Sequence, residues 1–313
     1  MKVLVLGAGA IGGYFGGRLA AAGVDVTFLV RSGRLAQLER DGLVIESAMG
    51  NLTQPVKTLE APELRAEYDI VLLTCKSYDL ESAMDSIAPA MQGKCAVVPM
   101  LNGMSHFDTL DARFGRENVF GGLCAIVSTM KKDGTIVHMG PLHRIVIGAR
   151  AGGDAISRCA AFADVLVQSK VEVENSARID QDLWEKVVFL SAAAGLTSLF
   201  RANIGEIMAA AGGPEAVDLF LKTNMEISAL EGFPLRPAAV EFCNLRLKTP
   251  SALTASMLRD IEGGNAVESD HIVGFMLNLA RKHGLDATIH SMAFTHLKAY
   301  ENRRAAGRLV AVA

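Results

Sequence analysis

Lys2 to Leu6 is a short run rich in valine and leucine, Gly7-Ala8-Gly9-Ala10-Ile11-Gly12 follows at once, and a stretch of small and apolar residues of helix length comes next. A G-x-G-x-x-G between a strand and a helix is a ready anion site. Its glycines allow a tight turn and close approach, while the first helical N–H groups and the helix dipole face the ligand. Gly7 serves the turn, Gly9 clears room for a pyrophosphate, and Gly12 lets the helix lie close on the strand. Ala8, Ala10 and Ile11 complete the loop, whereas Gly13, Gly16 and Gly17 read as packing positions along the helix. A ligand-free glycine-rich turn is the plain alternative, and the strand-loop-helix setting weighs against it.

Downstream to about residue 150 the strand signals KVLVLG, VDVTFLV, YDIVLLTC, KCAVVPML, NVFGGLCAIVS and HRIVIGA recur, with helix-length segments such as IGGYFGGRLAAAG and YDLESAMDSIAPAM between several of them. Such alternation predicts parallel strands joined by right-handed helical crossovers. ISRCAAFADVLVQS reads as one more helix, and VEVE as a short strand closing this half near residue 175. Beyond it, DQDLWEKVVFLSAAAGLTSLF, EAVDLFLKTNMEISALEG, SALTASMLRDIEGG, SDHIVGFMLNLARKHG and SMAFTHLKAYENRR carry helical spacing. The expected fold class is α/β: an N-terminal Rossmann-type doubly wound sheet over 1–175 and a C-terminal all-helical domain over 176–313. A chain of 313 residues suits two domains, since one core rarely organises more than about 250–300 residues.

With 31 basic and 34 acidic side chains the formal charge is −3, which argues against a protein devoted to nucleic acid or to anionic membrane. Cys75, Cys95, Cys124, Cys159 and Cys243 form no C-x-x-C pair and fit a reducing cytosol, so a cytoplasmic location is expected. The longest apolar helical stretch, 187–200, is short of the ~20 residues a bilayer needs. The apolar run at the N-terminus is too short for a secretion signal. His106, His138, His143, His271, His283, His290 and His296 show no metal-ligand spacing and read as surface and loop residues, so no metal site is expected.

The second strand ends at Arg31-Ser32-Gly33-Arg34, where an NAD-binding chain usually carries an acidic residue for the ribose hydroxyls. A guanidinium there pairs with a 2′-phosphate and favours NADPH over NADH; a surface arginine is the alternative, and it weighs more on Arg34 than on Arg31. Lys76 and Asn102 stand at the carboxyl ends of two further strands, where open α/β sheets bind ligands. Lys186 lies in LWEKVVFLSAAAGLTSLF, apolar on nearly every side, on one helical face with Leu190, Ala193, Ala194 and Thr197. It either snorkels from the first turn or points into a site. The stretch Ser256 to Asp270 taken alone reads as a solvated turn between helices, capped by Ser269 or Asp270.

Together the GAGAIGG loop, Arg31, TCKSYD around Lys76, LNGM around Asn102, LWEKV around Lys186 and SMLRDIEGGNAVESD from Ser256 to Asp270 resemble the ketopantoate reductase (2-dehydropantoate 2-reductase) family, NADPH-dependent enzymes of pantothenate synthesis. The resemblance spans most of the chain. It implies that Lys186 is the catalytic acid, with Glu268 beside substrate and cofactor ribose. It also implies that Asn102 lines the nicotinamide and substrate pocket, that Lys76 approaches the cofactor, that Ser256 holds the substrate carboxylate, and that Val127 makes a main-chain cofactor contact. Burial among apolar residues would lower the pKa of Lys186, and Glu268 would oppose that shift. The family's well-known members carry asparagines where this chain has Leu190 and Ala194, and Asn203 in FRANIGEI is the residue at hand to compensate.

Three functions remain open on the sequence: an NADPH-dependent reductase of ketopantoate, a relative acting on a bulkier or less polar 2-oxo acid, and an NADPH-sensing protein without turnover. The helices of the second half carry apolar stripes that a homodimer or a core would use equally.

Overall fold

A computed structural model describes residues 1–309. Contacts divide the chain into two units, Met1–Leu101 with His106–Asp180, and Asn102–Ser105 with Gln181–Ala313.

The first unit runs β1 (Lys2–Leu6), α1 (Gly12–Ala21), β2 (Asp25–Leu29), α2 (Ser32–Asp41), β3 (Leu43–Ser47), β4 (Leu52–Gln54), β5 (Lys57–Leu59), β6 (Ile70–Leu73), α3 (Leu80–Ile87), β7 (Ala96–Pro99), α4 (His106–Phe114), β8 (Gly121–Met130), β9 (Ile136–Gly148), α5 (Asp154–Val167) and β10 (Glu172–Asn175). One sheet is parallel throughout, in the order β5-β2-β1-β6-β7. Its central strands are buried along their length, as Val3, Leu4 and Val5 and the four residues Ile70–Leu73 show, which is why they read as unbroken apolar runs. The second sheet is mixed, in the order β10-β9-β3-β4 with β8 on β9. Here the expectation of parallel strands fails: β8 and β9 pair antiparallel, joined by the short turn around Gly134, and need no crossover helix. The strands β3, β4 and β5 lie in none of the six segments read as strands, whereas VEVE does pair in parallel with β9 as β10.

Helix α1 lies between the two sheets, and its glycines make that possible. A Cβ on Gly16 would lie 2.8 Å from the Phe28 ring of the parallel sheet, and one on Gly13 2.2 Å from Ile136 Cδ1 of the mixed sheet. One core therefore joins both sheets, with Val5 and Phe28 on one side and Ile45, Ile136 and Ile145 on the other.

The second unit is helical: α6 (Ile179–Phe200), which starts at the boundary, α7 (Ile204–Ala209), α8 (Gly213–Leu230), α9 (Pro237–Lys248), α10 (Ser256–Glu262), a π-helical turn Asp270–Gly274, α11 (Phe275–Lys282) and α12 (Thr288–Ala305). Helices α7 and α9 fall outside the segments read from the sequence. Helix α6 has 22 residues, so the length argument against a membrane span does not hold; by length and composition this helix is long and apolar enough to cross one. Its apolar surface is already used, since 67% of its most apolar window is buried and Val188, Ala192 and Leu196 pack against Phe220 and Leu247. Gly195 lets α8 cross closely, because a Cβ there would meet the Phe220 ring at 2.4 Å. Near the start of α6, Arg236 ties Glu185 and Asp182 to the first residue before α9, with its Nε 2.8 Å from Glu185 Oε1. Burial alone would raise the Glu185 carboxyl, but hydrogen bonds from Arg236 and Gln181 hold it below the usual range.

Candidate functional site

In the first unit the loop after β1 is held by its carbonyls. Arg34 donates to the Ala8 carbonyl through Nε at 3.1 Å and Nη2 at 2.9 Å, Ser128 Oγ donates to that of Ala10 at 3.1 Å, and the Gly9 carbonyl accepts from Gly13 N–H at 2.8 Å. With these acceptors engaged, the loop offers donors to an anion. Gly7 has φ +91°, and a Cβ on Gly12 would sit 2.2 Å from the Gly7 carbonyl oxygen and 2.3 Å from Thr74 Oγ1. Around Gly9 there is nothing within 4 Å of such an atom. Gly7 is thus demanded by its positive φ and Gly12 by packing, while the middle glycine faces open space.

That space belongs to a cavity of about 320 Å³ lined by Gly7, Ala8, Gly9, Arg31, Asp79 and Ser86, among others. Arg31 and Arg34 both reach it, but they differ. Arg34 is engaged by Ala8 and, through Nη1 at 2.7 Å, by Gln37, so its role is to shape the loop. The Arg31 side chain is 84% exposed and lies 3.6 Å from Asp79, a loose surface pair that an incoming phosphate can outcompete. Lys76 is half-buried just after β6, next to Ser77–Asp79. Val127 occupies the point where the β8–β9 register shifts between Ile126 and Ser128, a bulge that releases main-chain groups from the ladder while its side chain stays exposed.

In the second unit Lys186 is half-buried on α6, and the stripe above it continues through half-buried Leu190 to fully packed Ala194. Ser256 is the first residue of α10. The start of α10 is set from α6: Thr197 Oγ1 donates to the Ala193 carbonyl at 2.7 Å and accepts from Ala255 N–H at 3.4 Å. A second tie fixes the middle of α6, where Asn224 Nδ2 donates to the Val188 carbonyl at 3.0 Å and to Ser191 Oγ at 2.8 Å while Asn224 Oδ1 accepts from His290 Nε2 at 2.8 Å. Burial pushes His290 down to about 4, against the opposing pull of Asp286.

Glu268 and Ser269 are buried while Glu262, Gly263 and Asn265 are exposed, so the solvated turn is confined to the end of α10 and the residues just after it and does not reach Ser269. Nor do Ser269 and Asp270 cap a helix; Ser269 donates to Glu301, and Asp270 pairs with Lys298 at 2.8 Å. Asn203 caps α7, its Oδ1 accepting from Glu206 N–H at 2.9 Å while the Glu206 carboxylate accepts from Asn203 N–H at 2.8 Å, so its side-chain oxygen is engaged in a capping box.

The histidines correct a further expectation. His106, His138, His271 and His290 are buried rather than at the surface. His271 is the one that touches the candidate site: Ser105 Oγ lies 2.5 Å from its Nδ1, and its ring hydrogen-bonds the Asn102 main chain and feels the charge of Glu268. The sequence carries one signal for it, a histidine one turn beyond the buried glutamate on an apolar segment.

Comparison with known proteins follows the same division. The profile described as "Ketopantoate reductase PanE/ApbA" matches residues 3–152, and "Ketopantoate reductase PanE/ApbA C terminal" matches residues 178–301. The chain is 36% identical to the uncharacterized oxidoreductase YkpB of Bacillus subtilis, over 96% of this chain and 99% of that protein. It is 26% identical to 2-dehydropantoate 2-reductase of Archaeoglobus fulgidus, over 96% of this chain and 98% of the relative. Among solved structures it superposes on D-mandelate dehydrogenase with NADH and anilino(oxo)acetate at a TM-score of 0.86, with 21% identity, covering 97% of this chain and all of the other.

Proposed function

Because this chain belongs to the ketopantoate reductase family and is an oxidoreductase, we propose that it uses NADPH to reduce the keto group of a small 2-oxo acid, ketopantoate first among the candidates. The observation that carries the reading is Lys186, a lysine kept half-buried on α6 at the foot of a stripe that runs on through Leu190 and Ala194.

The residues fit the cofactor. Gly9 opens on a cavity of about 320 Å³, the loop's carbonyls are turned to Arg34 and Ser128, and the exposed Arg31 guanidinium stands at the wall where a 2′-phosphate needs a bidentate partner. Lys76 adds positive charge toward the phosphates, and the bulge at Val127 offers main-chain groups. NADPH, when bound, supplies the hydride.

Lys186 neutralises the negative charge that grows on the substrate's carbonyl oxygen and gives it a proton, a role worth about 10²–10⁴ in rate. Ser256 donates its hydroxyl to the substrate carboxylate, Asn102 orients the substrate by its amide, and Glu268 accepts hydrogen bonds from hydroxyl groups on the substrate and cofactor ribose. The same reading has the enzyme working in the cytosol, and its three buried thiols suit that setting, with Cys95 and Cys159 pushed up to about 12 and Cys243 to about 11 by burial.

Leu190 and Ala194 favour a second reading, a 2-oxo acid with an apolar side group. They present no hydrogen-bonding atom one and two turns beyond Lys186, and D-mandelate dehydrogenase shows that this fold accepts an aryl oxo acid analogue. The test is NADPH oxidation by the purified protein with ketopantoate and with phenylglyoxylate, NADH run in parallel. NADPH-selective turnover of ketopantoate supports the first reading and turnover of phenylglyoxylate alone the second. NADPH binding without turnover of any 2-oxo acid overturns both and leaves a sensor.

A further inference from the structure

The segment Asn102–Ser105 leaves the end of β7 yet belongs by its contacts to the helical unit, and the side chain on which it rests is His271. Ser105 Oγ reaches the ring across 166 positions of sequence. Gly103, at φ +85°, lies against it so closely that a Cβ would stand 2.7 Å from the His271 main-chain oxygen and 2.9 Å from Cδ2. Met104 packs with the cluster of Trp184 and Met276. Burial keeps the ring below its ordinary value and therefore neutral at pH 7, while Glu268 and the Asn102 main chain pull the other way. The ring is held by the loop at two points, a hydrogen bond with the Asn102 main chain and the contact of Nδ1 with the Ser105 hydroxyl at 2.5 Å.

We propose that His271 is a positioning residue that clamps the Asn102 loop to the segment carrying Glu268, so that the Asn102 amide meets the substrate in one orientation. The inference rests on the reading of Asn102 and Glu268 as substrate-side groups. His271 sits three residues after Glu268, in the wide π-helical turn Asp270–Gly274, so the ring and the carboxylate ride on one short piece of backbone. Displacing a substrate-orienting group by about 1 Å costs on the order of 10²-fold in rate, which sets the scale of the effect.

The test joins a structural readout to a kinetic one. In His271→Phe the amides of residues 102–105 should exchange hydrogen for deuterium about tenfold or more faster, a measurement that needs no turnover. With whichever of ketopantoate and phenylglyoxylate is reduced faster, kcat should fall by roughly 10–100-fold, and His271→Gln, which can still donate to the Asn102 carbonyl, should recover most of it. In an Asn102→Ala background His271→Phe should cost less than about threefold further, because the group it orients is gone. Should His271→Phe fail to fold, Ser105→Ala carries the same predictions at a smaller size, roughly three- to tenfold. Unchanged exchange, or losses at His271 and Asn102 that simply multiply, would sink the clamp while leaving Asn102 in its role. If Asn102→Ala alone leaves kinetics unaltered, the substrate role of Asn102 fails and the clamp falls with it.

Discussion

In the glycine loop of the first unit the tight approaches are made by main chain, Gly12 against the Gly7 carbonyl and α1 against both sheets, whereas the second unit is held by buried polar side chains tied in pairs. The first arrangement has no room for a methyl group and contains no titrating group at its tightest points. The second depends on Asn224, His290 and His271 keeping their hydrogen-bonding states. One region should therefore be sensitive to side-chain volume and the other to protons.

The sharpest contrast is between two glycines. Gly12→Ala must move backbone, because the nearest atoms to the new Cβ are a main-chain oxygen and the Thr74 hydroxyl, and should destabilise the fold by about 3 kcal/mol or more. Gly9→Ala meets nothing within 4 Å and should melt normally while weakening NADPH binding. Thermal melts and NADPH titrations of the two variants check this; a Gly9→Ala protein that binds NADPH like the wild type would remove the loop from the cofactor site.

The proton side of the comparison follows from His290. Its folded pKa is about 4 against 6.5 unfolded, so between those values the unfolded chain binds a proton that the folded chain does not. Stability is therefore full above about pH 6.5, falls as the pH drops, and by about pH 4 has lost up to about 3 kcal/mol from this group. Burial holds His143, His271 and His296 below their usual value as well, which adds slope in the same direction. Denaturant melts at pH 7.5 and 5 should show the loss, and His290→Gln should flatten it; an unchanged slope in that variant would remove His290 from the account.

Specificity should shift by less. Leu190→Asn places an amide one turn beyond Lys186 and should move the ratio of kcat/KM for ketopantoate over phenylglyoxylate upward by roughly tenfold to a hundredfold. No change in that ratio would mean that Leu190 does not face the substrate. Smallest of all, Arg31→Ala should lower the preference for NADPH over NADH by about tenfold, because the guanidinium is exposed and only loosely paired with Asp79. Retained preference would assign the 2′-phosphate to another group.

The same contrast explains what could be read beforehand. The glycine loop, the parallel strands β1, β2, β6 and β7 and helices such as α1, α5 and α6 declare themselves within a dozen residues, since local spacing decides them. The strands β3, β4 and β5 do not. Two of them are only three residues long, and β3 pairs with β9 about ninety positions away, so their stability comes from partners that no local pattern announces. Ser256 and Lys186 were visible as residues, but Thr197, which sets the start of α10 from α6, looked like one more member of an apolar face. The role of His271 is not legible locally, because its partner Ser105 lies 166 positions earlier. Asn203 carries a different ambiguity, since a capping asparagine and a substrate-binding one look alike in sequence, and only the structure shows its oxygen on the Glu206 N–H.

Whether Lys186 gives the proton in an NADPH-dependent reduction is decided by single-turnover NADPH oxidation with saturating ketopantoate or phenylglyoxylate in the wild type and in Lys186→Ala, alongside NADPH titrations of both. The account predicts a rate lower by about 10²–10⁴ in the variant with the NADPH Kd unchanged. A Lys186→Ala protein that oxidises NADPH at the wild-type rate would contradict it.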